Sequence, residues 1–244
     1  MPRALIAGLG LIGGSIGIAL RRRGWRVAYL DPFVQDAGEA ADQRVEAIVD
    51  ADLVILATPV DVARVILSEG KDLPATTSVC SVMQPLRAIA TGNFTAGHPL
   101  AGSEQRGLAA ARADLFAGKR WFVDREDELV AQVIADCGAV RELVTAEEHD
   151  RAMALTSHLP QVLSTALAAL IAEEDKRFVG TGAKTFLRLA GSDPSVWAPV
   201  LETNRGNIRA HFERFVEIAR AVIDDDPEEA FRRAKKLWAE LSAE

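Results

Sequence analysis

Apolar positions run in short unbroken blocks through the first half of the chain. Residues 3–9, RALIAGL, read as a strand buried on both faces, and a helix follows that ends near Arg23 and Gly24. WRVAYLD, residues 25–31, gives a second strand; DADLVILATPVD holds a third over residues 52–58, followed by another helix. TTSVCSV, FTAGHP and RWFVD continue the alternation, and GAVRELVT supplies the last strand, ending at Thr145. The stretch between Asp31 and Asp52 is short for a full strand and helix, so one peripheral element is expected to be trimmed. This rhythm predicts a doubly wound α/β domain of Rossmann type over residues 1–146.

Beyond that point the period becomes helical and no strand is expected. Thr145-Ala-Glu-Glu148 is a capping box that opens a helix. Pro160 should kink or break that helix, because it removes a backbone donor. NIRAHFERFVEIARAVI places Ile208, Phe212, Phe215, Ile218, Ala219 and Val222 on one face. Asp226-Pro227 starts a final helix with Phe231, Ala234, Leu237 and Trp238 expected inward. Helices this apolar need a partner surface, so residues 147–244 are expected to form an all-α substrate and dimerisation domain, and the chain a homodimer.

The opening ALIAGLGLIGGSIGIALRRR could be mistaken for a membrane or secretion segment. Only Arg3 precedes the apolar run and no small-residue cleavage site follows it, so neither reading is favoured. Gly8, Gly10 and Gly13 instead have the G-x-G-x-x-G spacing of a dinucleotide loop. The first permits a tight turn, the second lets the backbone approach a pyrophosphate, and the third lets the helix pack on the strand. The helix N-terminus, at Leu11 and Ile12, would then point its N–H groups at the phosphates. Asp31 ends the second strand about 20 residues on, where a carboxylate meets a ribose hydroxyl and repels a 2′-phosphate. NAD is therefore the expected cofactor, with Thr58 and Pro59 facing it at the end of the third strand.

Charge and composition narrow the classes further. A formal net charge of −7 and the lack of a long basic run argue against nucleic acid as a partner. Two cysteines, Cys80 and Cys137, are too few for a disulfide framework and suit a reducing cytoplasm. Nothing has the spacing of a metal site, and no membrane association is expected.

There are four histidines. His98 lies in GHPLAGSE, at a strand end late in the sheet, where ligands of such sheets bind. His158 lies in TSHLPQ beside Pro160, and Ser81 ends the strand SVCSV. His149 and His211 sit among charges and are expected on the surface. Arg188, in KTFLRLAGSDPSVW, can grip a carboxylate in two-pronged fashion, or form a salt bridge to Glu104 or Asp193.

In this order GLGLIGGSIG, SVCSV, HPLAGSE, TSHLPQ and RLAGSDPSVWAPVLETNR resemble the motifs of the prephenate/arogenate dehydrogenases of tyrosine biosynthesis, over nearly the whole chain. The resemblance implies oxidative decarboxylation of a cyclohexadiene to a phenol with hydride transfer to NAD. It makes His98 the base on the ring 4-hydroxyl, with Ser81 orienting both. Arg188 would hold a substrate carboxylate, Glu104 would pair with that arginine, and Trp197 would close the pocket. Cys80 and Met83 depart from the family's glycine and lysine around the serine, and Gln161 stands where many members have a second histidine. Gln161 is one turn from His158, so both could face one site. These departures bear on substrate choice. Prephenate is the first expectation, with arogenate or a 4-amino analogue (4-amino-4-deoxyprephenate) as alternatives. An NAD-sensing module without chemistry is the reading outside the enzymes. No fused mutase or regulatory domain is expected within these 244 residues, so tyrosine feedback, if present, would act at the active site.

Overall fold

The computed structural model describes residues 1–48, 51–70, 72–102, 105–174 and 176–242. Two compact units result. One comprises Met1–Met153 and Gly191–Asn204; the other comprises Ala154–Ala190 and the chain from Arg205 onward.

In chain order the first unit begins with β1 (Arg3–Ala7), α1 (Leu11–Arg22), β2 (Arg26–Leu30), β3 (Gln43–Arg44), β4 (Leu53–Leu56) and α2 (Val60–Glu69). It continues with β5 (Thr76–Ser78), α3 (Gln84–Arg87), β6 (Phe94–Thr95), β7 (Gly97–Pro99), β8 (Arg120–Val123), α4 (Glu128–Asp136), β9 (Val140–Leu143) and α5 (Ala146–Met153). Six strands form a parallel sheet in the order β3-β2-β1-β4-β5-β6, the dinucleotide-binding order with its reversal between β1 and β4. The central strands are apolar on both faces because both are covered. Ile6, Ile16 and Leu20 pack on one side, and Leu5, Val54 and Leu67 on the other. Only the two-residue β3 is formed between β2 and β4 among the described residues, in line with a trimmed peripheral element.

The later strands depart from the expected single sheet. FTAGHP splits at Ala96, and β7, β8 and β9 form a separate three-stranded sheet, β7-β8 antiparallel and β8-β9 parallel. Asp124 explains the split. Its carboxylate accepts two bonds from the Arg87 guanidinium and one from the Ala96 N–H, and its own N–H donates to Ala96 O. That exchange draws the chain off β6 and onto β8. His98 therefore lies inside β7, paired with Phe122, rather than past the end of a main-sheet strand.

The second unit contains α6 (Leu159–Ala172) and α7 (Thr181–Phe186); α8 (Pro194–Thr203) belongs to the first unit, and α9 (Arg205–Asp224) and α10 (Pro227–Leu241) to the second. Pro160 does not end the helix. The turn before it, Ala154–His158, is π-helical, and Pro160 falls in the first turn of α6, where a missing N–H costs nothing. Along α9, Ile208 is buried while Phe212, Phe215 and Ile218 remain exposed. The inward placement expected in α10 is not found: Phe231 and Trp238 are each 72% exposed and Leu237 is exposed as well. The single chain offers these side chains no cover. Ala146–Ala172 is long and apolar enough to cross a membrane by length and composition. It nevertheless carries Asp150, Gln161 and Ser164, all buried and hydrogen-bonded within the protein.

Candidate active site

The glycine loop follows directly from β1. Gly8 has φ +91°, and a Cβ there would lie 2.6 Å from Ala57 O, so the turn requires glycine. A Cβ on Gly13 would lie 2.0 Å from Gly8 O, which is how the start of α1 packs against the strand. Gly10 caps α1 with no side-chain hydrogen bond, and the space a Cβ there would enter is open. The first-turn N–H groups are thus available to an anion.

Asp31 closes the loop from β2. Its Oδ2 accepts the Leu9 N–H at 2.8 Å, and its Oδ1 accepts those of Phe33 and Val34 at 2.8 and 3.0 Å. The turn role and the loop-holding role are therefore the same role. A carboxylate accepts about four hydrogen bonds, which leaves capacity for a ribose hydroxyl.

A cleft of about 260 Å³ opens between the loop and the ends of β4 and β5. Gly10, Leu11, Ile12, Thr58, Pro59 and Ser81 all line it. Thr58 Oγ1 is buried with no hydrogen-bond partner among the described residues, an orphan that a bound polar group would satisfy. The site fits a dinucleotide: orphan helix N–H groups, an open glycine and a carboxylate beyond β2. Cys80 also lines the cleft, but burial pushes its thiol up to about 12, so it is no nucleophile.

Ser81 sits three residues past the end of β5 rather than on it, because the pairing with β4 stops at Ser78. The chain then turns into α3, whose first amides are held by a group absent from the sequence reading. Asp150 accepts the Met83 N–H through Oδ1 at 2.8 Å and the Gln84 N–H through Oδ2 at 2.9 Å. His149 Nδ1 lies 2.8 Å from Asp150 Oδ1, and His149 Nε2 lies 2.9 Å from His98 Nδ1. Both His149 and Asp150 are almost fully buried, so the surface position expected for His149 is wrong. Its charged neighbours in sequence suggested solvent, but α5 turns the His-Asp pair inward, where backbone amides satisfy the carboxylate. The only clue in the sequence is that both follow the capping box by one turn.

Trp197 is half-buried on α8 and packs against the core of its own chain, while Val196 and Val200 of that helix line the cleft. Asp193 pairs with Arg106 at 2.7 Å.

His158, Gln161 and Arg188 belong to the second unit. His158 is fully buried in the π-helical turn. Gln161 Nε2 donates to Leu189 O at 2.8 Å and to Thr165 Oγ1 at 3.2 Å. Ser164 Oγ donates to Phe186 O at 2.9 Å and accepts the Ala190 N–H at 3.0 Å. One face of α6 thereby clamps residues 186–190, the turn that carries the exposed Arg188. Glu104 lies outside the described residues.

Two family models match the chain in succession. Residues 19–145 match the nucleotide-binding domain of prephenate dehydrogenase and residues 145–236 its dimerization domain. The first match begins after the glycine loop, so the loop is read from its own geometry. The chain is 33% identical to the "Probable prephenate dehydrogenase NovF" of Streptomyces niveus, over 93% of this chain and 71% of that one. It is 28% identical to the prephenate dehydrogenase of Bacillus subtilis, over 95% of this chain and 73% of that one. Among solved structures, it matches prephenate dehydrogenase from A. aeolicus in complex with hydroxyphenyl propionate and NAD+, with TM-score 0.83, 26% identity, and coverage of 100% of this chain and 98% of that one. The chain belongs to the prephenate dehydrogenase family of oxidoreductases.

Proposed function

We propose that this protein catalyses the NAD-dependent oxidative decarboxylation of prephenate to 4-hydroxyphenylpyruvate. The observation that carries the proposal is the cleft in which the glycine loop, Thr58 and Ser81 meet, within a chain of this family. Bound in that cleft, NAD supplies the hydride acceptor. The orphan N–H groups of α1 hold its pyrophosphate, and Asp31 takes a ribose hydroxyl, which disfavours a 2′-phosphate.

On the substrate, His98 accepts the hydrogen bond and then the proton of the ring 4-hydroxyl as the hydride leaves the same carbon. The ring carboxylate departs as carbon dioxide, and its bonding pair completes the aromatic ring. The proton then returns to the phenol oxygen, so the balance is one NADH and one carbon dioxide. Ser81 orients the hydroxyl, and Arg188 grips a remaining carboxylate from the turn that Gln161 and Ser164 hold. A positioned base contributes about 10²- to 10⁴-fold in rate. Trp197 and Glu104 complete the pocket in this reading.

Arogenate is the second substrate reading, because Gln161 stands where many members of the family have a second histidine, and a neutral amide there changes how the substrate side chain is recognised. The test is NADH formation with prephenate, arogenate and 4-amino-4-deoxyprephenate side by side. Turnover on the first supports the proposal, and a preference for another moves the substrate. NAD binding without turnover on any of them favours a sensor.

The exposed apolar faces of α9 and α10 and the dimerization-domain match support a homodimer. The two free, buried cysteines suit a reducing cytoplasm.

A further inference from the structure

We infer that His149 and Asp150 are positioning residues that fix the tautomer and the aim of the His98 imidazole; this rests on the reading of His98 as the base. Both oxygens of Asp150 already accept backbone N–H groups, from Met83 and Gln84. As a carboxylate, Asp150 accepts on both oxygens and donates nothing. The proton between it and His149 therefore sits on His149 Nδ1, across 2.8 Å. With His149 neutral in this arrangement, its Nε2 is an acceptor only, and the atom 2.9 Å away, His98 Nδ1, is the donor. With its proton fixed on Nδ1, His98 accepts protons at Nε2.

The chain Asp150–His149–His98 is rigidly seated. Phe122 meets the His149 ring edge-on at 5.7 Å, and the His98 and His149 rings stand at 85° to each other. Asn204 Nδ2 donates to Asp150 O at 2.7 Å, which pins α5 at the residue that carries the carboxylate. As His98 gains a proton, the imidazolium is stabilised by its Nδ1–H bond to His149, whose lone pair is oriented by the buried carboxylate. No proton needs to travel along the chain. The same carboxylate holds the amides two and three residues past Ser81, so one buried anion sets both the base and the loop that carries the serine.

The experiment is 15N NMR of histidine-labelled protein together with steady-state kinetics of His149→Phe and His149→Gln. Wild type is expected to show His98 as a single Nδ1–H tautomer, and His149→Phe a mixture with the Nε2–H form. In His149→Phe kcat should fall at least about thirtyfold, part of what a positioned base supplies, with KM within about threefold and NAD affinity unchanged. His149→Gln, whose amide oxygen can accept from His98, should recover about tenfold of that loss. A His98 Nε2–H tautomer in wild type would overturn the inference, as would a His149→Phe enzyme with unaltered kcat. If His149→Phe does not fold, the wild-type spectrum and His149→Gln decide. If wild type turns over no cyclohexadiene, the proposed function fails, and the spectrum alone judges the tautomer.

Discussion

Asp31→Asn tests the cofactor side of the account most finely. The substitution keeps the shape and removes one acceptor. If the amide oxygen stays on Phe33 and Val34, the new NH2 faces the Leu9 N–H, donor against donor, where a 2.8 Å charge-assisted bond stood. That loss is worth about 1.5–3 kcal/mol. Leu9 lies inside the glycine loop, so the strain falls where the pyrophosphate would sit. Since 1.4 kcal/mol is tenfold in affinity, NAD should bind about ten- to a hundredfold more weakly. NADP should lose less, because the repelling charge is gone, and the NAD/NADP preference should narrow. Stability should drop too, with Tm falling a few degrees, at about 2–4 °C per kcal/mol for a chain this long. Fluorescence titration with both cofactors and a thermal melt measure all three. A lower Tm with an unchanged NAD/NADP ratio would reduce Asp31 to a turn residue, and unchanged values throughout would refute the loop geometry.

Gln161→Ala removes the bond to Leu189 and loosens the turn bearing Arg188. A lost buried hydrogen bond of about 1–3 kcal/mol predicts a substrate KM raised roughly tenfold with NAD affinity intact, and an unchanged KM would dissociate the clamp from substrate binding. Phe231→Glu with Trp238→Glu should convert a dimer to monomers in light scattering, because each buried aromatic contributes about 1.5–3 kcal/mol; a persisting dimer would place the interface elsewhere. Burial pushes the Cys80 and Cys137 thiols up to about 12, above their unfolded values. Above about pH 9 the unfolded chain loses these protons and the folded one keeps them, so each thiol costs about 1.4 kcal/mol per pH unit as pH rises toward 12. Denaturant titrations from pH 8 to 11 should show wild type losing stability more steeply than Cys80→Ala/Cys137→Ala, and parallel slopes would contradict the burial.

What the sequence revealed and what it hid divide along a physical line. Residues 3–9 and 53–56 are legible because both faces of a central parallel strand are buried, which leaves an unbroken apolar run. The glycine loop is legible because Gly8 and Gly13 are demanded by close backbone contacts. The split of FTAGHP was not, because it depends on Asp124, 28 residues beyond Ala96, whose bonds form only in the folded chain. Capping chemistry marks the start of α5, but nothing local says that the next turn is buried. His149 therefore reads as a surface residue, although its partner His98 is 51 residues away, and the Met83 and Gln84 amides that hold the adjoining Asp150 are 67 and 66 residues away. The faces of α9 and α10 were legible as apolar, yet their direction was misjudged in α10, where periodicity shows that a face is apolar and not which chain covers it.

The most direct test of the central claim is NADH formation by the purified protein with NAD and prephenate, beside arogenate and beside a His98→Asn control. Turnover on prephenate is expected, with equimolar carbon dioxide release and a fall of about 10²-fold or more in the control with NAD binding retained. Equal turnover in the control, or NAD binding with no turnover on either substrate, would contradict the claim.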